Sequence, residues 1–125
     1  MIVGTGIDIA EVARIRDTVE RFGERFLERV FTPAERGYAG RKANRYERYA
    51  ARFAAKEAGM KALGTGWRRG VRWQDFEVAN LRSGKPTLIL HGEAARIAAQ
   101  LGVASISLSL THTAQQGMAF VVFER

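Results

Sequence analysis

The 125 residues contain no cysteine, which excludes a disulfide framework, a thiolate nucleophile and any zinc site with cysteine ligands. This suits a reducing compartment, and the cytoplasm is the expected location. Histidine is nearly as scarce. With His91 and His112 as the only two, a histidine zinc site is not expected, and no acid close in sequence marks His112 as a member of a catalytic triad. No apolar run approaches the roughly 20 residues that span a bilayer. The start MIVGTGIDIAEV also lacks the basic segment and long apolar stretch of a signal peptide, so a soluble, non-exported chain with no membrane partner is expected. Two phosphate-binding signatures are missing as well. Gly4-Thr5-Gly6 is not completed by a third glycine, because Ile9 stands there, and no G-x-x-x-x-G-K-[ST] loop occurs. Any phosphate must therefore be met by side chains and a metal. The length fits one domain over residues 1–125 with a core of its own, and no repeat or low-complexity tract interrupts it.

Positive charge is abundant. Twenty Lys and Arg against thirteen Asp and Glu leave a net charge of +7, which points to an anionic partner without saying which one. Nucleic acid, a nucleotide-like cofactor and an acidic protein surface all fit at this level, as does an arginine-rich composition with no partner behind it.

Residues 2–9 alternate as a strand, placing Asp8 on the face that carries Gly4 and Gly6, where the missing side chains admit another backbone or a ligand. From Glu11 to Val30 the pattern is one helix whose core side is Val12, Ile15, Val19, Phe22, Phe26 and Val30. Beside that side runs a stripe of Arg14, Thr18, Arg21 and Arg25, with Asp17, Glu20, Glu24 and Glu28 on the next sector. The segregated signs fit a docking stripe for an acidic partner, or a solvent face laced by ion pairs. Thr32-Pro33 reads as a cap and first turn, and the basic stretch 36–48 as a mobile connector, with a phosphate clamp as the functional alternative. A second long helix covers Tyr46 to Leu63. Its stripe of Ala51, Ala54, Ala55, Ala58 and Ala62 lets it lie close to its neighbours, and Glu57 and Lys61 border that stripe one turn apart. Strands are expected at 71–80, 87–90, 105–111 and 118–123, with a turn at Ser83–Pro86, a short helix at 92–101 and a hairpin between the last two strands. The fold class is therefore α+β, with a mostly antiparallel sheet packed with two long helices.

Asp8 and Glu57 are the candidate chemistry. One carboxylate on a strand and one on a helix suit magnesium, which takes one or two protein carboxylates plus water and phosphate oxygens. Taken singly, each has a bland reading: a helix cap for Asp8 and a solvated surface acid for Glu57. The hydroxyls of Ser105, Ser107, Ser109 and Thr111 share one strand face leading to His112. They would suit hydrogen bonds to a diphosphate, or an ordinary half-exposed strand.

Six segments together resemble the holo-acyl-carrier-protein synthase family, the small type of 4′-phosphopantetheinyl transferase. They are GIDI (6–9), FTPAE (31–35), RFAAKEAGMKALGTG (52–66), VRWQDFEV (71–78), SGKP (83–86) and SLSLTHT (107–113). They span almost the whole chain in order, and the F-x-x-K-E-x-x-x-K block with its upstream G-[IV]-D is far more specific than a glycine motif. The resemblance implies transfer of the 4′-phosphopantetheine arm of coenzyme A to a serine of an acyl carrier protein in fatty acid biosynthesis, with adenosine 3′,5′-bisphosphate as the leaving group and Mg2+ required. On this reading Asp8 and Glu57 would ligate the metal and Lys61 would offset charge on the leaving oxygen. Glu57, directly or through a metal-bound water, would help deprotonate the serine.

By the same resemblance Arg52, Lys56, Gly64, Gly66, Ser83, Gly84, Lys85, Pro86 and His112 would line the coenzyme A cleft. Arg14, Arg21 and Arg25 would receive the acidic helix of the carrier protein. A chain with one copy of the fold would form a homotrimer with sites between subunits. Many relatives carry an acid soon after the histidine motif; here Ala114 stands there, so that acid's role does not transfer. The rival reading, a basic nucleic-acid-binding module built on Trp67, Arg68, Arg69, Arg72 and Trp73, lacks any recognised binding motif, and those residues fall in a segment that resembles a loop of the transferases.

Overall fold

The computed structural model describes residues 1–125. In chain order it runs through strand β1 (Ile2–Glu11) and helices α1 (Val12–Phe22), α2 (Glu24–Val30), α3 (Pro33–Ala39) and α4 (Arg45–Leu63). A 3-10 turn (Trp73–Asp75), strands β2 (Phe76–Asn80) and β3 (Pro86–Leu90), helix α5 (Gly92–Gln100), and strands β4 (Ser105–His112) and β5 (Gln116–Glu124) complete it. One sheet has the order β1-β5-β4 and the other is the β2-β3 hairpin, with every pairing antiparallel. The expected α+β class is what the chain adopts. No helix is long and apolar enough to cross a membrane.

α4 lies directly on β1 and β5, because neither surface carries bulk where they meet. Ala51, Ala54, Ala55 and Ala58 are buried on the helix. A Cβ on Gly4 would overlap the Ala62 carbonyl, one on Gly6 the Ala58 carbonyl, and one on Gly117 the backbone at Ala51. Close backbone packing follows from the missing side chains, and it presses Asp8, next on the same strand face, toward the helix.

Three expectations change. The helix expected over 11–30 is broken at Gly23, whose φ of 59° and ψ of −136° lie outside the helical region and suit a residue without Cβ. Phe22, placed in the core by a continuous wheel, ends α1 and is 54% exposed, while beyond the break the re-phased chain buries Leu27. Only one helix is long. The stretch 36–48 is not a free connector: α3 runs to Ala39, held by a capping box between Thr32 and Glu35, and α4 starts at Arg45. Three of its basic residues rest on tyrosine rings instead, Lys42 and Arg48 over Tyr38 and Arg45 over Tyr46, in cation–π contacts. The strand expected from 71 starts at Phe76, because the Asp75 carboxylate accepts from Arg72 N (3.0 Å) and turns the chain first.

Candidate active site

Asp8 and Glu57 come together across the β1–α4 contact. Lys61 joins them, its Nζ 3.0 Å from Asp8 Oδ1 and 3.0 Å from the Ile7 carbonyl oxygen. Burial first, and then the charge and hydrogen bonding of Asp8, push the Glu57 carboxyl up to about 7 from 4.5, against the pull of Lys61 and Arg14. Two carboxylates this close disfavour a second negative charge, and a divalent cation relieves that conflict. No group of three or more His, Asp or Glu side chains gathers around them. The donor set therefore fits an ion such as magnesium that draws its remaining ligands from water and phosphate.

Glu57 lines a cavity of about 410 Å³ together with Arg14, Phe26, Phe53 and Trp67. The sequence did not single out Phe53 as a wall; its place one turn before Glu57 on α4 was the available signal. Gly64 closes α4, its N–H and those of Thr65 and Gly66 directed at the Met60 carbonyl, and the chain then leads to Trp67 at that cavity. Arg21 and Arg25 are exposed with Arg14, but the Gly23 break puts Arg25 on α2, so the three are not one stripe on one helix.

A second cavity, about 230 Å³, gathers Arg52, Gly84, Pro86 and His112 with Arg48 and Asn80. Arg52 is 4% exposed. It donates to Asn80 Oδ1 at 3.3 Å, and its buried Nε has no partner. Burial pulls its guanidinium below the usual range, with Tyr38 and Glu35 opposing. A buried donor left free is an anion site in waiting, since an unmade buried hydrogen bond is costly. His112 Nδ1 lies 3.1 Å from Glu47 Oε2. Ser83 and Lys85 are exposed in the same turn, where Ser83 Oγ accepts from Lys85 N at 3.4 Å. Arg48 could have been read from the sequence, because it precedes Arg52 by one helical turn.

The two cavities are separate within one chain. Arg52 and Glu57 lie about 140° apart around α4, so the residues expected to line one cleft occupy two half-sites. Lys56 belongs to neither: its ammonium is wholly buried against Glu35 and does not reach a ligand. The hydroxyls of β4 are likewise misplaced for a diphosphate at Asp8. Ser107, Ser109 and Thr111 are exposed on the sheet face turned away from α4, beside Ile7 and Phe120. In the loop expected of a nucleic-acid module, Trp73 stacks on Phe53 at 4.8 Å and Arg72 pairs with Asp75 at 3.2 Å, so both are engaged within the chain.

Residues 4–120 match the model of the 4′-phosphopantetheinyl transferase superfamily. The chain is 69% identical over 124 residues to a holo-[acyl-carrier-protein] synthase of Solibacter usitatus, covering 99% of each chain. Its fold is similar to a holo-[acyl-carrier-protein] synthase crystal structure from Neisseria meningitidis, with a TM-score of 0.91, 34% identity and full coverage of both chains. It is also similar to a Helicobacter pylori synthase crystallised with coenzyme A, with a TM-score of 0.84, 32% identity, and 96% and 99% of the two chains covered. The nucleic-acid reading finds no support among these relatives. An enzyme of the holo-acyl-carrier-protein synthase family, within the 4′-phosphopantetheinyl transferases, is what this chain belongs to.

Proposed function

We propose that residues 1–125 form one transferase domain that moves 4′-phosphopantetheine from coenzyme A to a serine of an apo-acyl carrier protein, with Mg2+ between Asp8 and Glu57. The observation that carries this is the convergence of Asp8, Glu57 and Lys61, from elements far apart in sequence, at one end of α4, with the Glu57 carboxyl pushed up to about 7. The serine oxygen forms the new bond to phosphorus, the bond to adenosine 3′,5′-bisphosphate breaks, and the serine proton leaves to a base. Glu57 is the candidate base, since its carboxylate stands at the cavity where the serine would enter. Lys61, held by Asp8 and the Ile7 carbonyl, offers positive charge to the departing phosphate. Bound magnesium would neutralise the diphosphate and make phosphorus more electrophilic.

The Arg52–His112 half-site, with its free Arg52 Nε, is the candidate receptor for the remaining phosphate and nucleotide of coenzyme A. Because it does not share a cavity with Glu57, a neighbouring subunit would complete each cleft. A homotrimer is supported by the outward sheet face, where Ile7 is 56%, Ile9 49% and Phe120 44% exposed, an unusual apolar surface for a lone chain. Arg14, Arg21 and Arg25 would meet the acidic carrier helix. A cytoplasmic role in fatty acid biosynthesis follows from this reading. Incubation with coenzyme A, magnesium and apo-carrier protein is expected to yield carrier heavier by one phosphopantetheine in a mass spectrum. No gain across several carrier proteins would overturn the proposal.

A further inference from the structure

Lys56 precedes Glu57 in α4, yet its side chain is fully buried with that of Glu35. Its ammonium is directed at three acceptors: Glu35 Oε1 at 2.7 Å, the Phe76 carbonyl oxygen at 2.7 Å and the Trp73 carbonyl oxygen at 3.3 Å. Glu35 in turn accepts from Thr32 N and Val78 N, both at 2.8 Å. One ion pair thus ties α3, α4, the 3-10 turn and β2 together, and its polar groups are satisfied, as a buried pair requires.

The tie to Trp73 reaches the cleft. Trp73 lies on Phe53 with ring centroids 4.8 Å apart and 26° between planes, and Trp67 meets Trp73 at 5.2 Å and 74°. Phe53 and Trp67 are walls of the cavity that Glu57 faces. Trp67 is 71% exposed, so the Trp73 edge is a main support for where its ring stands. Offset and edge-on aromatic contacts of this kind are geometrically selective.

Resting on the transferase reading above, we propose that Lys56 is a positioning residue for the transfer reaction: by anchoring the Trp73 turn it sets, through the Phe53–Trp73–Trp67 stack, the wall of the cavity at Glu57. A lock that only held the fold together would lower stability and leave the folded enzyme's turnover alone. A positioning lock changes turnover in the folded enzyme, and does so through Trp67.

The test is a double-mutant cycle on protein first checked for a cooperative urea transition, with Trp67→Ala on one axis and Lys56→Met together with Glu35→Gln on the other. The paired change leaves no single charge buried. Each axis is expected to lower kcat for carrier-protein modification by about tenfold to a hundredfold, with KM for coenzyme A within about twofold because Arg52 and His112 are untouched. The combined variant is expected to be no slower than the slower parent, the mark of residues acting as a unit. In a Trp67→Phe background, where Trp73 is the sole tryptophan, the paired change is expected to raise acrylamide quenching. Folded Lys56→Met/Glu35→Gln enzyme with wild-type kcat, or losses that multiply in the combined variant, would overturn the proposal. If the paired variant does not fold, Trp73→Phe takes its place in the cycle, since it keeps the carbonyl and the Phe53 stack but shortens the edge under Trp67; multiplying losses there would overturn the proposal equally. A wild-type enzyme that transfers nothing would remove the transferase reading and this inference with it, whereas active wild type with an inert cycle removes the inference alone.

Discussion

Lys56 and Lys61 sit five residues apart on the same helix, each paired to one carboxylate, yet they do opposite work. The Lys56–Glu35 pair is 0% exposed on both sides, whereas Lys61 is 54% and Asp8 17% exposed. Desolvation separates them. Inside the protein a charge must be held by several fixed partners, and burial pulls the Lys56 ammonium below its usual range even with Glu35 opposing. At the helix end an ammonium keeps water on one side, so at little cost Lys61 can release Asp8 to a metal and turn to a phosphate instead. A lysine that carries chemistry has to be the second kind.

The comparison breaks most visibly at the carboxylates. Glu57→Gln or Asp8→Asn is expected to lower transfer by roughly 10²–10³-fold or more while leaving the thermal midpoint near wild type; near-normal turnover at limiting magnesium in either variant would refute the metal assignment.

Stability should split the two lysines the other way. Lys56→Met alone strands Glu35 and is expected to cost about 3–5 kcal/mol, whereas Lys61→Met is expected to cost no more than about 1 kcal/mol while still slowing transfer. Urea melts of both variants beside their kcat values decide this, and equal destabilisation would erase the distinction.

A pH series sharpens it further. The folded chain holds the Glu57 proton more tightly than the unfolded chain, so that stabilisation is complete below about 4.5 and is lost as pH rises through about 7. Metal-free protein should therefore lose this contribution between pH 5 and 8. Magnesium, which needs the ionised carboxylate, should raise the melting temperature more at pH 8 than at pH 5. Glu57→Gln should abolish both trends; a magnesium response independent of pH would place the ion elsewhere.

The smallest effect concerns the arginines separated by Gly23. Arg14→Glu, at the rim of the Glu57 cavity, is expected to raise KM for the carrier protein more than Arg25→Glu on α2. Equal increases would mean that the break does not divide the docking surface.

The α+β class, the hairpin of β4 and β5, the long helix α4 and its capacity to lie close to a neighbour were legible because each rests on a local rule. Alternation marks strands, and small residues on facing surfaces permit backbone contact, as Gly4 and Gly6 against Ala62 and Ala58 illustrate. The convergence of Asp8 with Glu57 was legible through the same close packing and through resemblance. The break at Gly23 was not, since a glycine inside an amphipathic pattern reads equally as a tolerated interruption. Nor was the seating of Arg48 over the Tyr38 ring, since Tyr38 belongs to α3 and only the tertiary structure brings α4 against it.

What the sequence determined by itself was therefore the inventory and the local geometry: two acids, the lysines, a strand face without side chains, and a helix able to lie on it. What only the tertiary structure decided was which lysine stays in water and which lies in the core, and that Arg52 and His112 stand apart from Glu57. Burial is the reason. It depends on what other segments bring to the same place, and no spacing within one helix encodes that Glu35, Trp73 and Phe76 will close around Lys56 while the end of α4 stays open.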